Sequence, residues 1–153
     1  MKKIMFALLV LFVTGVGTGF AAPINNLDNG QTAIGFVNDN FYVEHKFTNN
    51  FTLGFQNDDI YGQYNLNSNF RAIVGSRDYF GSKLYVGAAV NTSLAPALDG
   101  YASLIAGNSF KELQVGVNYH LTHNVDVNVN YRSFIPDEGS NSNRTGIGAT
   151  YKF

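Results

Sequence analysis

Seven charged residues form the most informative pattern in this sequence, because the residues two positions before and after them are mostly small or polar. They are Glu44, Lys46, Arg71, Arg77, Glu112, Asp126 and Arg132. Side chains alternate between the two faces of a β-strand, so residues of one parity share a face. Charges of both signs on one interior face either set the selectivity of an aqueous path or pair with one another in a filled core.

The sequence does not predict a catalytic site. The chain has three histidines; His45 shares the parity of apolar neighbours, and His120 and His123 stand beside one short turn. No glycine loop precedes a helix to bind phosphate, and no group of residues has metal-ligand spacing. Without a convergent acid, base and nucleophile we expect no enzymatic activity, no metal and no cofactor.

About ten segments of alternating polarity would position the charged residues. They cover residues 31–37, 41–48, 51–57, 60–67, 70–78, 83–92, 99–107, 110–121, 124–135 and 143–153. Turns rich in Asn, Asp, Gly and Ser separate them, as expected for tight hairpins. Residues 22–30 form an irregular lead-in, and the one helical candidate, residues 94–98, is interrupted by Pro96. The sequence therefore predicts an all-β fold.

The apolar face of these strands is predicted to point outward. Residues 125–132 alternate Val or Tyr with Asp, Asn or Arg. Charged residues are 14% of the chain, whereas the surface of a small soluble domain carries about 25–35%. Aromatic residues stand near both ends of the apolar faces, as at the two interfaces of a bilayer. One group is Phe47, Phe51, Tyr64, Phe70, Tyr119 and Phe153; the other is Phe36, Phe41, Phe55 and Tyr131.

One five-residue turn pattern occurs three times. Residues 47–51, 66–70 and 121–125 each read apolar, Thr or Asn, one variable residue, Asn, then apolar. The spacing of the first two equals one hairpin, so the same turn is predicted to recur on one rim of a barrel.

The last ten residues, 144–153, form an amphipathic strand that ends on an aromatic residue. Tyr151 and Phe153 resemble the C-terminal signal of bacterial outer-membrane β-barrel proteins. The resemblance implies an export signal, an outer-membrane location, contact with outer-membrane lipid, and recognition of Tyr151 and Phe153 by the barrel assembly machinery. It also implies a closed antiparallel up-and-down transmembrane barrel, here of about ten strands, or eight if two neighbours merge.

The amino terminus has the pattern of a signal peptide. Lys2 and Lys3 precede an apolar run over residues 4–13, and small residues at Gly19 and Ala21 favour cleavage after Ala21. Residues 1–21 are thus predicted to be removed, and residues 22–153 to form one domain. The chain has no cysteine, which excludes a disulfide framework and a lipoprotein anchor. Its formal charge of −1 gives no indication of nucleic-acid binding.

Two functions remain open from the sequence. The first is a porin-like passive channel for ions or small polar solutes, whose selectivity the seven charged residues would set. The second is a plugged structural or adhesive barrel that stabilises the cell envelope. Inward glycines leave space for a channel, but they also suit strong strand curvature. Acidic residues at Asp39, Asp58, Asp59, Asp78, Asp137 and Glu138 are assigned to the outer turns, where Asp is a good turn former and also a ligand for divalent cations.

Overall fold

The computed structural model describes residues 22–78 and 81–153, which form a closed antiparallel barrel of ten strands in chain order. The predicted signal peptide lies outside the described residues. The strands are β1 (Thr32–Val37), β2 (Asn40–Lys46), β3 (Phe51–Gln56), β4 (Asp59–Asn65), β5 (Phe70–Asp78), β6 (Ser82–Ala95), β7 (Leu98–Gly107), β8 (Phe110–His120), β9 (Val125–Pro136) and β10 (Ser142–Lys152). The predicted all-β fold is confirmed, with ten strands and not eight.

The barrel closes by pairing its last strand with its first. β10 lies antiparallel to β1, with Ala33 opposite Lys152 and Val37 opposite Gly148. At the end of the chain, the Thr32 amide donates to the Phe153 carbonyl at 2.8 Å and the Phe153 amide donates back at 2.9 Å. Closure leaves no unpaired strand edge in this sheet.

The two ends of the barrel differ in their connections. The terminal rim carries both ends of the sheet and the turns at residues 47–50, 66–69, 96–97 and 121–124. The far rim carries the connections at residues 38–39, 57–58, 108–109 and 137–141, together with the end of β5 at Asp78 and the start of β6 at Ser82. Asn38 and Asn57 have positive φ angles of 51° and 38°, which Asn tolerates better than most residues in a two-residue hairpin.

The repeated turn pattern on the terminal rim has one hydrogen-bond arrangement. The side-chain oxygen of its second residue accepts hydrogen bonds from two backbone amides, with N···O distances of 2.9–3.3 Å. Thr48 accepts from Asn50 and Phe51, Asn67 from Asn69 and Phe70, and Thr122 from Asn124 and Val125. Threonine and asparagine are interchangeable there because each has a short side-chain oxygen that reaches the backbone two and three residues on. The prediction of one recurring turn is confirmed.

One predicted connection is wrong. Residues 93–98 were expected to form a turn, but β6 continues to Ala95 and β7 begins at Leu98. The pairing shifts register between Ser93 and Ala95, as expected where an extra residue forms a bulge. Only Pro96 and Ala97 connect the strands, and proline suits such a turn because it has no amide to donate to a ladder.

Most apolar side chains of the strands point outward and most polar ones point inward, with Ile73, Ile105, Phe110 and Phe134 among the buried exceptions. Val74, Leu84, Val86, Leu104 and Ile147 are all more than half exposed. On β7, Tyr101, Ser103 and Ile105 are buried inside, whereas Leu104 and Ala106 are exposed. No helix among residues 22–78 and 81–153 has the length and apolarity to cross a membrane.

Candidate functional site: the barrel interior

The seven charged residues predicted to face inward line the interior, on β2, β5, β8 and β9. Glu44, Glu112 and Asp126 are at most 2% exposed. The three arginines are also buried, and Lys46 is half-buried at the terminal rim. Alternation places them there because each strand buries every second residue. Their predicted part in ion selectivity remains a prediction.

A chain of ion pairs crosses the interior near the far rim. Arg77 on β5 donates to Asp59 of the neighbouring β4 through Nε at 2.9 Å and Nη2 at 2.8 Å. Its Nη1 reaches Glu112 on β8 at 2.7 Å, and Arg132 on β9 contacts the same Glu112 oxygen at 2.6 Å. Because β5 and β8 are not neighbours, the Arg77–Glu112 pair spans the interior. Each buried charge thus has an opposite charge, as burial requires.

Aromatic rings pack against the two arginines of this ion-pair chain. The Arg77 guanidinium lies 5.5 Å from the Tyr85 ring centroid and 5.2 Å from that of Phe110. Arg132 lies 4.9 Å from the Phe134 centroid. Cation–π contacts of this kind are stronger away from water, so they add to the ion pairs in holding the guanidinium groups in place.

A second charged cluster lies near the terminal rim. Lys152 Nζ contacts Asp126 Oδ2 at 2.6 Å, and His120 Nδ1 lies 2.7 Å from Asp126 Oδ1. The other imidazole nitrogen of His120 lies 3.2 Å from Asp99. Both nitrogens of His120 therefore face carboxylates. This arrangement fixes the ring between β7, β8 and β9.

Glu44 occupies the middle of the interior and accepts hydrogen bonds from three neutral groups. The Tyr61 hydroxyl donates at 2.8 Å, Gln63 Nε2 at 3.0 Å and Asn25 Nδ2 at 2.7 Å. Several donors converging on one carboxylate compensate for much of the loss of water around it. One of these donors comes from outside the sheet.

The segment at the start of the described residues, 22–27 (the N-terminal segment), packs inside the barrel, with only Asn26 exposed. The sequence did not predict this position. Pro23 and Asn25 are almost fully buried, and Ala22, Ile24 and Leu27 are also buried. The segment leads into the turn before β1, where the Gly30 amide donates to the Lys46 carbonyl at 2.8 Å. It therefore enters from the terminal rim and extends toward the far rim.

Side chains of the barrel wall bind this segment from several directions. Arg71 donates to the Asn25 carbonyl at 2.8 Å and to Asn26 Oδ1 at 2.6 Å. Asn118 Nδ2 donates to the Ile24 carbonyl at 2.9 Å, and Lys46 Nζ to the Leu27 carbonyl at 2.7 Å. Three of the predicted lumenal residues, Glu44, Lys46 and Arg71, thus contact a peptide segment.

Asn26 makes further contacts between the N-terminal segment and the wall. Its Oδ1 accepts a bond from Asn91 Nδ2 at 3.0 Å, and its Nδ2 donates to Asp99 Oδ2 at 2.9 Å. Asp99 also contacts His120, so the N-terminal segment and the terminal-rim cluster share a carboxylate.

Inward glycines accommodate tyrosine rings on neighbouring strands. Gly35, Gly54, Gly75 and Gly116 lie directly opposite Tyr42, Tyr61, Tyr85 and Tyr101 respectively. A Cβ atom at any of these four glycines would collide with the opposing ring. The space that these glycines leave is therefore filled by an aromatic ring, and it does not contribute to an open lumen.

The space that remains beside the N-terminal segment is small. A cavity lined by Ala22, Ile24, Asp59, Arg77 and Glu112, among others, has a volume of about 30 Å³. That is about the share of one water molecule in the liquid. In this conformation the described interior around the segment is packed, with paired charges on one side and an apolar cluster that includes Ala22, Ile24, Ile73 and Ile105.

Asp59 and Lys152 are interior residues that the sequence interpretation missed. Asp59 was assigned to an outer turn, but it begins β4, is 8% exposed and bonds to Arg77 and Tyr85. Lys152 shares the inward parity of β10, which was the only available indication of its pairing with Asp126. Asp39, Asp58, Asp137 and Glu138 stay exposed on the far rim. Among the described residues no group of His, Asp and Glu is placed to hold a metal ion.

Compared with known proteins, the chain matches no family model and no curated protein. Among solved structures it is similar to a de novo designed transmembrane β-barrel, with a TM-score of 0.44 and 18% identity, covering 83% of this chain and 98% of the designed one. It is also similar to the N-terminal β-barrel domain of Pseudomonas aeruginosa OprF, with a TM-score of 0.37 and 12% identity, covering 82% and 98%.

Proposed function

We propose that the protein is an integral outer-membrane β-barrel with a closed interior, whose role is to stabilise the cell envelope. The observation that carries the proposal is the packed interior, where the N-terminal segment and paired charges occupy the space a channel would need. This is the plugged barrel that the sequence left open beside a porin-like channel. A channel is less well supported because the predicted selectivity residues bind one another or the N-terminal segment.

The exterior supports placement in a membrane. Large apolar side chains such as Val86, Leu104 and Ile147 cover the middle of the wall and are about three-fifths exposed. Monomeric soluble proteins rarely expose continuous apolar surfaces of this kind. Aromatic side chains lie near both rims, including Phe47 and Tyr64 at the terminal rim and Phe55 and Tyr131 toward the far rim, as expected at two lipid interfaces. The resemblance of the C-terminal strand to bacterial outer-membrane barrels supports the choice of membrane.

We also propose that the barrel is not an enzyme. His120 has carboxylates at both ring nitrogens, an arrangement without a nucleophile. The Thr32 hydroxyl lies 2.8 Å from His45 Nδ1, but His45 stacks edge-on with the outward Phe47 ring, 4.5 Å between centroids. A hydroxyl–imidazole pair on the outer wall has no enclosed pocket in which to bind a substrate.

The test is conductance across a planar bilayer, with protein refolded in detergent and shown to be heat-modifiable on a gel. We expect wild type to give no steps, and Arg132→Glu to lower thermal stability because it places a second carboxylate beside Glu112. Discrete steps in wild type whose ion selectivity shifts in Arg132→Glu would overturn the closed barrel and establish the channel.

A further inference from the structure

We propose that the N-terminal segment is a tethered plug: a peptide ligand of the interior that enters and leaves through the terminal rim. The proposal rests on the closed barrel proposed above and goes further, since it assigns the closure to residues 22–27. It gives the interior a binding specificity, for an extended peptide with apolar side chains and two adjacent asparagines.

The bonds that hold the segment differ in kind from those that hold the wall. Strands are joined by continuous backbone ladders. The N-terminal segment is held by side chains of the wall, such as Arg71, Lys46 and Asn118, which donate to its backbone carbonyls. Such bonds can break without opening any ladder, so the segment can leave while the barrel stays folded.

The wall residues that bind the segment keep other hydrogen bonds when it leaves. Arg71 also bonds to Gln63 at 3.0 Å, and Glu44 keeps its bonds from Tyr61 and Gln63 when Asn25 is withdrawn. Departure of the segment therefore uncovers apolar residues such as Ile73 and Ile105, which cluster with Ala22 and Ile24, and exposes a polar, charge-lined space at the terminal rim. Water replaces the lost partners there, because the space is polar and opens at that rim.

The two asparagines carry much of the specificity. Asn25 donates to Glu44, and Asn26 bonds with Arg71, Asn91 and Asp99. Replacing both by alanine removes these contacts and leaves the length and the apolar residues of the segment unchanged. A bond to a charged group has a net effect large enough to shift an equilibrium about tenfold or more.

The first test measures how often the segment leaves. The chain has no cysteine, so Ala22→Cys provides a single thiol at a buried position of a protein that begins at residue 22. Its rate of modification by a negatively charged, membrane-impermeant reagent reports the open population. We expect Asn25→Ala with Asn26→Ala to raise that rate at least about tenfold. Asn29→Ala, an exposed asparagine in the same stretch, is the matched control and should leave the rate unchanged.

The second test measures whether leaving opens the barrel. The variant with both Asn25→Ala and Asn26→Ala is first shown to be heat-modifiable like wild type. It should then give conductance steps in a planar bilayer. A free peptide with the sequence of residues 22–27, added on the side of the terminal rim, should close them, and the same peptide with both asparagines replaced by alanine should not. An unchanged modification rate in the folded variant, or a fast rate with a silent bilayer, would overturn the plug. Steady conductance by wild type would instead overturn the closed barrel itself.

Two single lysine variants test the proposal if the variant with both asparagines replaced does not fold. Lys46→Met removes the bond to the Leu27 carbonyl, whereas Lys83→Met changes a lysine at the far-rim end of β6. We expect Lys46→Met to raise the modification rate of Ala22→Cys and Lys83→Met to leave it unchanged. Equal rates in the two variants would contradict an anchoring role for Lys46.

Discussion

Arg77 on β5 and Glu112 on β8 join two strands that are not neighbours, through a contact of 2.7 Å across the interior. Both side chains are at most 10% exposed, so neither charge can be compensated by bulk water. Removing Arg77 takes the ion-pair partner from the buried Asp59, whereas Glu112 keeps Arg132. A buried charge left unpaired costs more than the pair itself contributes.

We therefore expect Arg77→Met to lower the free energy of unfolding by about 3–5 kcal/mol. The measurement is urea unfolding in lipid vesicles, followed by loss of heat-modifiability. Arg132→Met is the comparison and should cost less, since Glu112 keeps Arg77 as a partner. Adding Asp59→Asn to Arg77→Met should recover part of the loss, since Asp59 is the carboxylate that Arg77→Met leaves unpaired. A loss below about 0.5 kcal/mol for Arg77→Met would contradict the importance of Arg77 in the ion-pair chain.

A second prediction concerns the glycines opposite tyrosine rings. Gly54→Ala forces its methyl group into the Tyr61 ring, and we expect a loss of about 1–3 kcal/mol, typical of overpacking. Gly62→Ala is the matched control on the outward face of the adjacent strand, where a Cβ would meet the exposed Phe51 ring at 3.2 Å and Val74 at 3.9 Å. The same unfolding assay should show little change for Gly62→Ala. Equal costs for the two variants would mean that glycine serves strand curvature and not the ring.

Alternation was sufficient to predict most of this architecture from the sequence. The parity of residues such as Glu112 and Val115 sets which face they occupy, and ten such segments gave the strand number. The recurring turn was also predictable, because its Thr or Asn has a local function that does not depend on the rest of the fold.

The interior contacts were not predictable to the same degree. Asp59 follows Asn57 and Asp58, both good turn formers, and a boundary error of one residue moved it from the interior to the rim. The N-terminal segment has no strand or helix periodicity, so its binding depends on wall residues from distant parts of the chain. Ile24 and Leu27 in an otherwise polar lead-in were the only local indication of burial.

A third prediction tests which medium surrounds the wall. Val115 lies midway along β8 and points outward, and Val115→Arg should cost about 2–4 kcal/mol in a bilayer. Leu121→Arg places the same charge at the terminal rim, where the cost falls to about 0–1 kcal/mol. Unfolding of both variants in lipid vesicles gives the comparison. Small and equal costs would indicate an exterior in contact with water.

The last prediction separates assembly from stability at the C-terminal strand. The Phe153 ring is 57% exposed and stacks on Tyr151 at 5.9 Å between centroids, whereas its backbone closes the barrel on Thr32. Phe153→Ala keeps those backbone bonds, so purified refolded protein should lose only about 0.5 kcal/mol or less. If the assembly machinery reads the aromatic end, the amount of heat-modifiable protein in cell membranes should fall severalfold in Phe153→Ala. Phe70→Ala, a similarly exposed ring at the same rim, should assemble normally; an equal fall in both variants would show that the ring acts at the lipid interface and not as a recognition signal.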